Sequence, residues 1–74
     1  MLSEKALHEA EAFVYDKVHT ETFQMHDDWF NWAYEGTEYD INIFTDFHTR
    51  KIGATIYPLK KNKATDTLKG VRIL

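Results

Sequence analysis

The residues of this chain that could do chemistry are histidines and carboxylates, which fall into three small groups. These groups are His26 with Asp27 and Asp28, Asp46 with His48, and Glu4 with His8 and Glu11. Imidazole and carboxylate groups at such spacings can ligate a metal ion, or pair a general base with the group that orients it. The first two groups, however, lie at predicted turns, where Asp bonds to its local backbone, and the third lies on the solvent side of a predicted helix. We therefore predict no metal site and no catalytic residue among them.

The chain lacks the residues that covalent catalysis or a phosphate-binding loop would require. The only serine is Ser3, which suits a helix cap, and there is no cysteine. The three glycines, Gly36, Gly53 and Gly70, are too far apart to build a phosphate-binding loop. A domain of 74 residues also leaves little room for a closed pocket. The sequence thus predicts a protein that is not an enzyme and carries no cofactor.

An aromatic-rich stretch from Thr20 to Leu59 organises the rest of the chain, since it contains nine of the eleven aromatic residues. Apolar and polar residues alternate along it, which is typical of half-buried strands joined by tight turns. The clearest turn contains Gly36, with either Glu35-Gly36 or Gly36-Thr37 as the two loop residues. Either choice places the same residues on one sheet face: Phe30, Trp32, Tyr34, Tyr39, Ile41 and Ile43.

Two further turns extend this face in both directions along the chain. A turn centred on Thr49-Arg50, or a four-residue loop over the same place, predicts the pairs Phe47 with Ile52, Thr45 with Ala54, and Ile43 with Ile56. An upstream turn at Asp27-Asp28 predicts the pairs Met25 with Phe30 and Phe23 with Trp32. Residues Thr22 to His26 could instead prolong the preceding helix, and the sequence leaves that choice open.

The N-terminal residues predict one helix, from Ser3 to Val18. Ser3 can cap it, and Glu4 lies where the helix dipole favours negative charge. Its apolar residues recur at helical spacing and form one stripe: Ala6, Leu7, Ala10, Phe13, Val14 and Val18. That stripe is wide enough to cover the apolar face of the sheet. After Leu59, residues Ala64 to Lys69 could form a helical turn that ends at Gly70, and Val71 to Leu74 a short edge strand.

The predicted fold is therefore a single α+β domain over residues 1–74, with one N-terminal helix packed on a three- to four-stranded antiparallel β-meander. Trp32 and Ile43 should lie near the centre of its core. No cysteine is present for a disulfide, and no run of 18 apolar residues occurs. The first residues also lack the basic flank and apolar run of a signal peptide. These features predict a soluble cytoplasmic protein.

Charge is divided unevenly along the chain. Residues 1–47 contain 11 of the 12 acidic residues and two of the nine basic ones, whereas residues 48–74 contain seven basic residues and one acidic residue, Asp66. The two parts could pair across neighbouring strands inside the domain. Alternatively, the acidic side could attract a basic partner, or the basic side could contact phosphate.

The sheet face opposite the helix is the predicted contact surface. It carries the aromatic residues Trp29, Phe44 and Tyr57 and a polar rim of Asn31, Asp40, Asn42, Asp46 and Thr55. The predicted registers pair Phe44 with Thr55, Asn42 with Tyr57, and Trp29 with Asn42 or Phe44, so that the three rings lie together. An aromatic centre within a polar rim is typical of protein-binding surfaces. In the alternative, the tail from Leu59 to Leu74 folds back and covers this patch.

We therefore predict a small non-enzymatic protein-binding module whose partner is another protein, or a second copy of this chain in a homodimer. In size, acidity and lack of cysteine the chain is similar in type to small accessory or inhibitor proteins of phages and mobile elements. The alternative is a nucleic-acid-binding module that uses basic residues of the last third: Arg50, Lys51, Lys60, Lys61 and Lys63. Acidic residues beside the aromatics disfavour phosphate. Membrane binding is disfavoured because the polar side of the helix is acidic.

Overall fold

One helix and four antiparallel strands make up the part of the chain that the computed structural model describes, which is residues 2–20, 28–46, 51–59 and 63–71. The helix α1 spans Glu4–Thr20. The strands are β1 Asp28–Tyr34, β2 Thr37–Asp46, β3 Lys51–Pro58 and β4 Asp66–Val71. They form one antiparallel sheet in the order β1-β2-β3-β4. The predicted α+β meander is confirmed, and its short C-terminal edge strand is β4, which begins at Asp66 and not at the predicted Val71.

Ser3 caps α1 as the sequence predicts. Its hydroxyl oxygen accepts a hydrogen bond from the Ala6 backbone N–H at 3.1 Å, and its carbonyl accepts one from Leu7 at 2.9 Å. These bonds use donors that otherwise have no partner at the start of a helix. The helix continues two residues beyond the predicted end at Val18, and Lys17 in its last turn complements the helix dipole.

The β1–β2 hairpin turns on Glu35-Gly36, the first of the two predicted loops. Glu35 and Gly36 have φ angles of 48° and 81°, as a type I′ turn requires, and the twist of that turn matches the twist of the strands. Tyr34 consequently pairs with Thr37, and Trp32 with Tyr39. The side chains predicted to share one face do so, and those of Trp32, Ile41 and Ile43 are buried.

The core lies between α1 and the inner face of the sheet. Its buried members are Ala10, Val14, Trp32, Ile41, Ile43, Ile52, Ala54 and Ile56. The helix side of this layer is small, since the buried residues of α1 are Ala6, Ala10 and Val14. Towards the end of α1, Phe13 meets Phe30 of β1 edge to face, with the ring centroids 6.4 Å apart. The predicted position of the helix across the apolar face is therefore confirmed.

The register between β2 and β3 differs from the predicted one by two residues. The structure pairs Ile41 with Ile56, Ile43 with Ala54 and Thr45 with Ile52. The predicted pairs Ile43 with Ile56, Thr45 with Ala54, and Phe47 with Ile52 are wrong, because β2 ends at Asp46 and β3 begins at Lys51, so that the midpoint of the connection lies one position earlier in the sequence than predicted. A shift of two residues keeps every side chain on its own face. The face was therefore predicted correctly, although the partners were not.

The segment from Asp66 onward is a strand, so the predicted helical turn over Ala64 to Lys69 is wrong. β4 pairs Asp66 with Ile56, Thr67 with Thr55, Leu68 with Ala54 and Val71 with Ile52. One helical turn makes too few hydrogen bonds to offset its nucleation, whereas this strand gains a ladder with β3 and packs Leu68 against the core. A register shift between Ile52 and Ala54 marks a β-bulge.

Several predicted features lie outside the described residues. They are the strand or helix at Thr22 to His26, the turn residue Asp27, the connection 47–50 and residues 72–74. Asp28, the second residue of the predicted upstream turn, begins β1.

Asp66, the one acidic residue among residues 48–74, connects β4 to the start of α1. Its carboxylate oxygen Oδ2 accepts a hydrogen bond from the Leu2 backbone N–H at 2.8 Å. We expect Asp66→Ala to lower the free energy of unfolding by about 1 to 2 kcal/mol. Asp66→Asn, which keeps an acceptor oxygen, should lose less. Urea denaturation would measure both, with Thr67→Ala at the exposed neighbouring position as the control. Wild-type stability of Asp66→Ala would contradict this role.

Candidate partner-binding surface on the sheet

The sheet face that α1 does not cover is named here the outer face. Strand alternation and the observed registers place the following residues on it: Trp29, Asn31, Glu38, Asp40, Asn42, Phe44, Lys51, Gly53, Thr55, Tyr57 and Thr67. All six predicted partner-binding residues belong to this set. The structure therefore brings Trp29, Asn31, Asp40, Asn42, Phe44 and Tyr57 to one surface.

Trp29 and Tyr57 form an aromatic pair that reaches across β2. Trp29 stands opposite Asn42, one of its two predicted partners. Tyr57 stands opposite Asp40, so the predicted pairing of Tyr57 with Asn42 is wrong. The two ring centroids are 5.4 Å apart, with 44° between the ring planes. The side chain of Trp29 is 59% exposed, which is unusual for the largest apolar side chain in a domain with a formed core.

Phe44 packs against a different residue and is not part of this aromatic pair. The observed register sets it opposite Gly53 rather than the predicted Thr55. Its ring lies against the glycine, because a Cβ atom at position 53 would be 2.6 Å from Phe44 Cζ. A ring that covers a strand glycine protects the backbone there. Phe44 thus covers Gly53 on the outer face, and a side chain at position 53 would have to displace the ring.

Two asparagines hold the polar rim of the aromatic pair. Asn31 donates from Nδ2 to the Tyr39 carbonyl at 3.3 Å, and Asn42 donates from Nδ2 to the Asp28 carbonyl at 3.3 Å. Both bonds connect β1 with β2, so the amide groups are fixed by the sheet itself. Asp40 stands opposite Asn31, two residues before Asn42 on β2, and is half-buried. The backbone register sets the last rim residue, Asp46, opposite Lys51.

The described part of the tail does not cover the aromatic pair. β4 extends the sheet at its edge, and Trp29 is exposed. The alternative in which Leu59 to Leu74 folds back over this patch is therefore wrong for residues 66–71. That alternative used Val71 and Ile73 or Leu74 as the cover. The side chain of Val71, and Ile73 and Leu74 as a whole, lie outside the part of the chain that the structure describes.

The residues predicted for nucleic-acid binding are described only in part. Lys51 and Lys63 are exposed, whereas Arg50, Lys60 and Lys61 lie outside the described residues. Lys51 shares the outer face, but it is six residues from Tyr57 along β3, or about 20 Å at the rise of an extended strand. Lys51 therefore lies well away from the aromatic pair.

The described residues of the three groups of histidines and carboxylates do not form a site. Glu4, His8 and Glu11 are exposed on α1, and within the described ranges no three His, Asp or Glu side chains come together as metal ligands. His26, Asp27 and His48 lie outside those ranges. Among the same residues, no helix has the length and apolar character needed to cross a bilayer.

Tyr34 is the neighbour of Trp32 on the inner face, with the two ring centroids 5.5 Å apart. Partial burial raises the pKa of Tyr34, and its hydrogen bond to Glu35 and the negative charges of Glu35 and Glu9 act in the same direction. Its hydroxyl therefore stays protonated and donates at neutral pH.

A second exposed aromatic group, which the sequence did not predict, lies on α1. Tyr15 stacks on His19, with the centroids 4.1 Å apart and the planes at 24°. His19 Nδ1 lies 2.8 Å from the Tyr15 carbonyl, so this nitrogen is the donor. The spacing of four residues along a helix predicts such a contact. It lies on the helix, away from the outer face, and provides a matched control for experiments on Trp29.

No known family model, curated protein or solved structure matches this chain.

Proposed function

We propose that this chain is a small non-enzymatic protein-binding module, of an accessory or inhibitory kind, that contacts its partner through the outer face. The observation that carries the proposal is the aromatic pair: Trp29 is 59% exposed and lies against Tyr57 on the face that α1 leaves open. We also propose a cytoplasmic location, since small secreted domains are commonly rich in disulfides and this chain has no cysteine.

Energetics support a binding role for the pair. An exposed tryptophan contributes little to the stability of the monomer, yet it supplies a large apolar area when a partner covers it. Tryptophan and tyrosine are also the residues that most often dominate the energy of protein interfaces. Asn31 and Asn42 are already bonded to neighbouring backbone carbonyls. A rim that is ordered before binding loses less conformational entropy on association.

A nucleic-acid-binding module is the alternative to this proposal. Exposed aromatics on a sheet can stack on bases, but such surfaces have lysine or arginine beside the rings to meet phosphate. Here the residues of β2 opposite the aromatic pair are Asn42 and Asp40, and the carboxylate of Asp40 repels phosphate. Retention on a labelled oligonucleotide that depends on Trp29 and weakens steeply with salt would favour the alternative.

A second copy of this chain is one candidate for the partner. The outer face could meet itself across a two-fold axis, and the two aromatic pairs would then cover each other. Light scattering distinguishes this case, because a homodimer has twice the mass of the 74-residue chain.

The test is capture of the partner from cells that naturally contain this chain. We expect wild-type protein to retain one partner, and the double variant Trp29→Ala/Tyr57→Ala to lose it by about a hundredfold, since each ring should contribute the energy of an interface hot spot. This pair of substitutions is preferred to Trp29→Ala/Phe44→Ala because Phe44 also covers Gly53. The readout is the amount of partner bound at equal protein concentration.

The matched control is Tyr15→Ala, which removes an exposed aromatic from α1 and should keep the partner. Circular dichroism must show that the double variant remains folded. Undiminished capture by the folded double variant would refute the proposed surface.

A further inference from the structure

An acidic residue stands opposite one ring of the aromatic pair, and it indicates the chemistry of the partner. Asp40 stands opposite Tyr57. Glu38, two residues away on the same face of β2, is exposed. Ring faces and carboxylates both attract positive charge, so an exposed indole near carboxylates suits an arginine or lysine side chain.

The charged residues of the outer face beside the aromatic pair are all acidic. On the outer face, β1 has no charged residue, and the part of β2 beside the aromatic pair contributes Glu38 and Asp40 and no basic residue. The basic residue of β3 is Lys51, about 20 Å from Tyr57 along the strand. That distance exceeds the Debye length of about 8 Å at physiological salt. Lys51 therefore does not neutralise the carboxylates near Tyr57.

We propose that the partner presents a basic segment, one of whose arginine or lysine side chains stacks on Trp29 with its charge beside Asp40. This inference rests on the proposed function, because it names the chemistry of the partner at the same surface. Arginine fits better than lysine, since its planar guanidinium can stack on the indole and donate two hydrogen bonds to one carboxylate. Asn31 and Asn42, bonded to backbone carbonyls, keep the rim in place around that side chain.

The test is an NMR titration of the full chain labelled with ¹⁵N. The probe is a synthetic peptide in which arginine alternates with glycine and serine. Its matched control carries citrulline in place of arginine, which keeps the size and removes the charge. We expect the arginine peptide to shift the Trp29 indole N–H signal and the amide signals of Asp40 and Tyr57. The citrulline peptide should bind about tenfold more weakly. Added salt should weaken the binding of the arginine peptide.

Two variants with a matched control locate the contact. Asp40→Asn and Trp29→Ala should each weaken binding of the arginine peptide by about tenfold. Glu11→Gln removes the same charge from an exposed position on α1 and should leave the affinity unchanged. Wild-type affinity in Asp40→Asn would overturn the inference, as would shifts confined to α1. Binding of an oligothymidylate at the Trp29 indole in place of the peptide would also overturn it.

The titration separates this inference from the proposed function. If the arginine peptide does not bind, while partner capture still depends on Trp29 and Tyr57, the basic-segment inference is wrong and the protein-binding proposal stands. If capture is also independent of both rings, the two proposals fail together.

Discussion

Replacing Trp32 with alanine should lower the free energy of unfolding by about 3 to 5 kcal/mol, a large part of the stability of so small a domain. Trp32 is only 7% exposed. Its ring lies 5.5 Å from that of Tyr34 and 5.4 Å from that of Tyr39, and it packs in the cluster that contains Ile41 and Ile43. Its removal loses that burial and leaves a cavity that the sheet cannot close. Denaturation by urea, followed by circular dichroism, measures the effect.

The matched control for Trp32→Ala lies in the same strand. Trp29→Ala removes an identical side chain from the opposite face, where it is 59% exposed, and should lower stability by about 1 kcal/mol or less. Both substitutions remove the same atoms from β1. The comparison therefore isolates how much the face on which each ring lies changes the free energy of unfolding. Equal losses for the two variants would show that the outer face is also part of the core.

Replacing Ala10 with leucine should lower the free energy of unfolding by about 1 to 3 kcal/mol, because the added atoms have no room between α1 and the sheet. Ala10 is fully buried and lies in the cluster that Ile41 and Ile56 complete on the sheet side. A larger residue must move the helix away from the strands or force neighbouring side chains out of their rotamers. Thermal unfolding followed by circular dichroism measures the loss.

Ala12→Leu is the control for Ala10→Leu. Ala12 lies on the exposed side of the same helix, and alanine and leucine differ little in helix propensity. Its stability should stay within about 0.5 kcal/mol of wild type. If Ala10→Leu were equally neutral, the close approach of α1 to the sheet would be disproved.

Features that depend on local pattern were predictable from the sequence. Ser3 and the apolar stripe predict α1, because capping and helical spacing are properties of a few neighbouring residues. Gly36 with its alternating flanks predicts the first hairpin, and alternation then assigns Trp32 and Ile43 to the inner face. Both residues are buried there.

Features that depend on distant parts of the chain were not predictable in the same way. The register of β3 places Phe44 opposite Gly53, where the ring lies against the glycine, and nothing in the local pattern of either strand specifies that pairing. The strand at Asp66–Val71 forms because the edge of β3 is available to pair with it, as the register with Ile52 and Ala54 shows. Its own six residues have no strong preference, so tertiary pairing decides their conformation.

The candidate surface was predictable as a set of residues but not as a geometry. Alternation alone places Trp29, Asp40 and Tyr57 on one face, since a register error of two residues does not change a face. The contact of Trp29 with Tyr57, and the position of Asp40 opposite Tyr57, depend on the true register. The predicted register would have set Asn42 there, and the carboxylate would not have been identified with the aromatic pair.

Site-specific photo-crosslinking from position 29 tests most directly the claim that the outer face binds a partner. A benzophenone amino acid would replace Trp29 in one variant and Tyr15 in a second, so that each exposed position carries the same reactive group. After irradiation in cells that naturally contain this chain, we expect one discrete adduct from position 29 and none from position 15. An adduct from position 15 with none from position 29 would contradict the proposed surface and place the contact on α1.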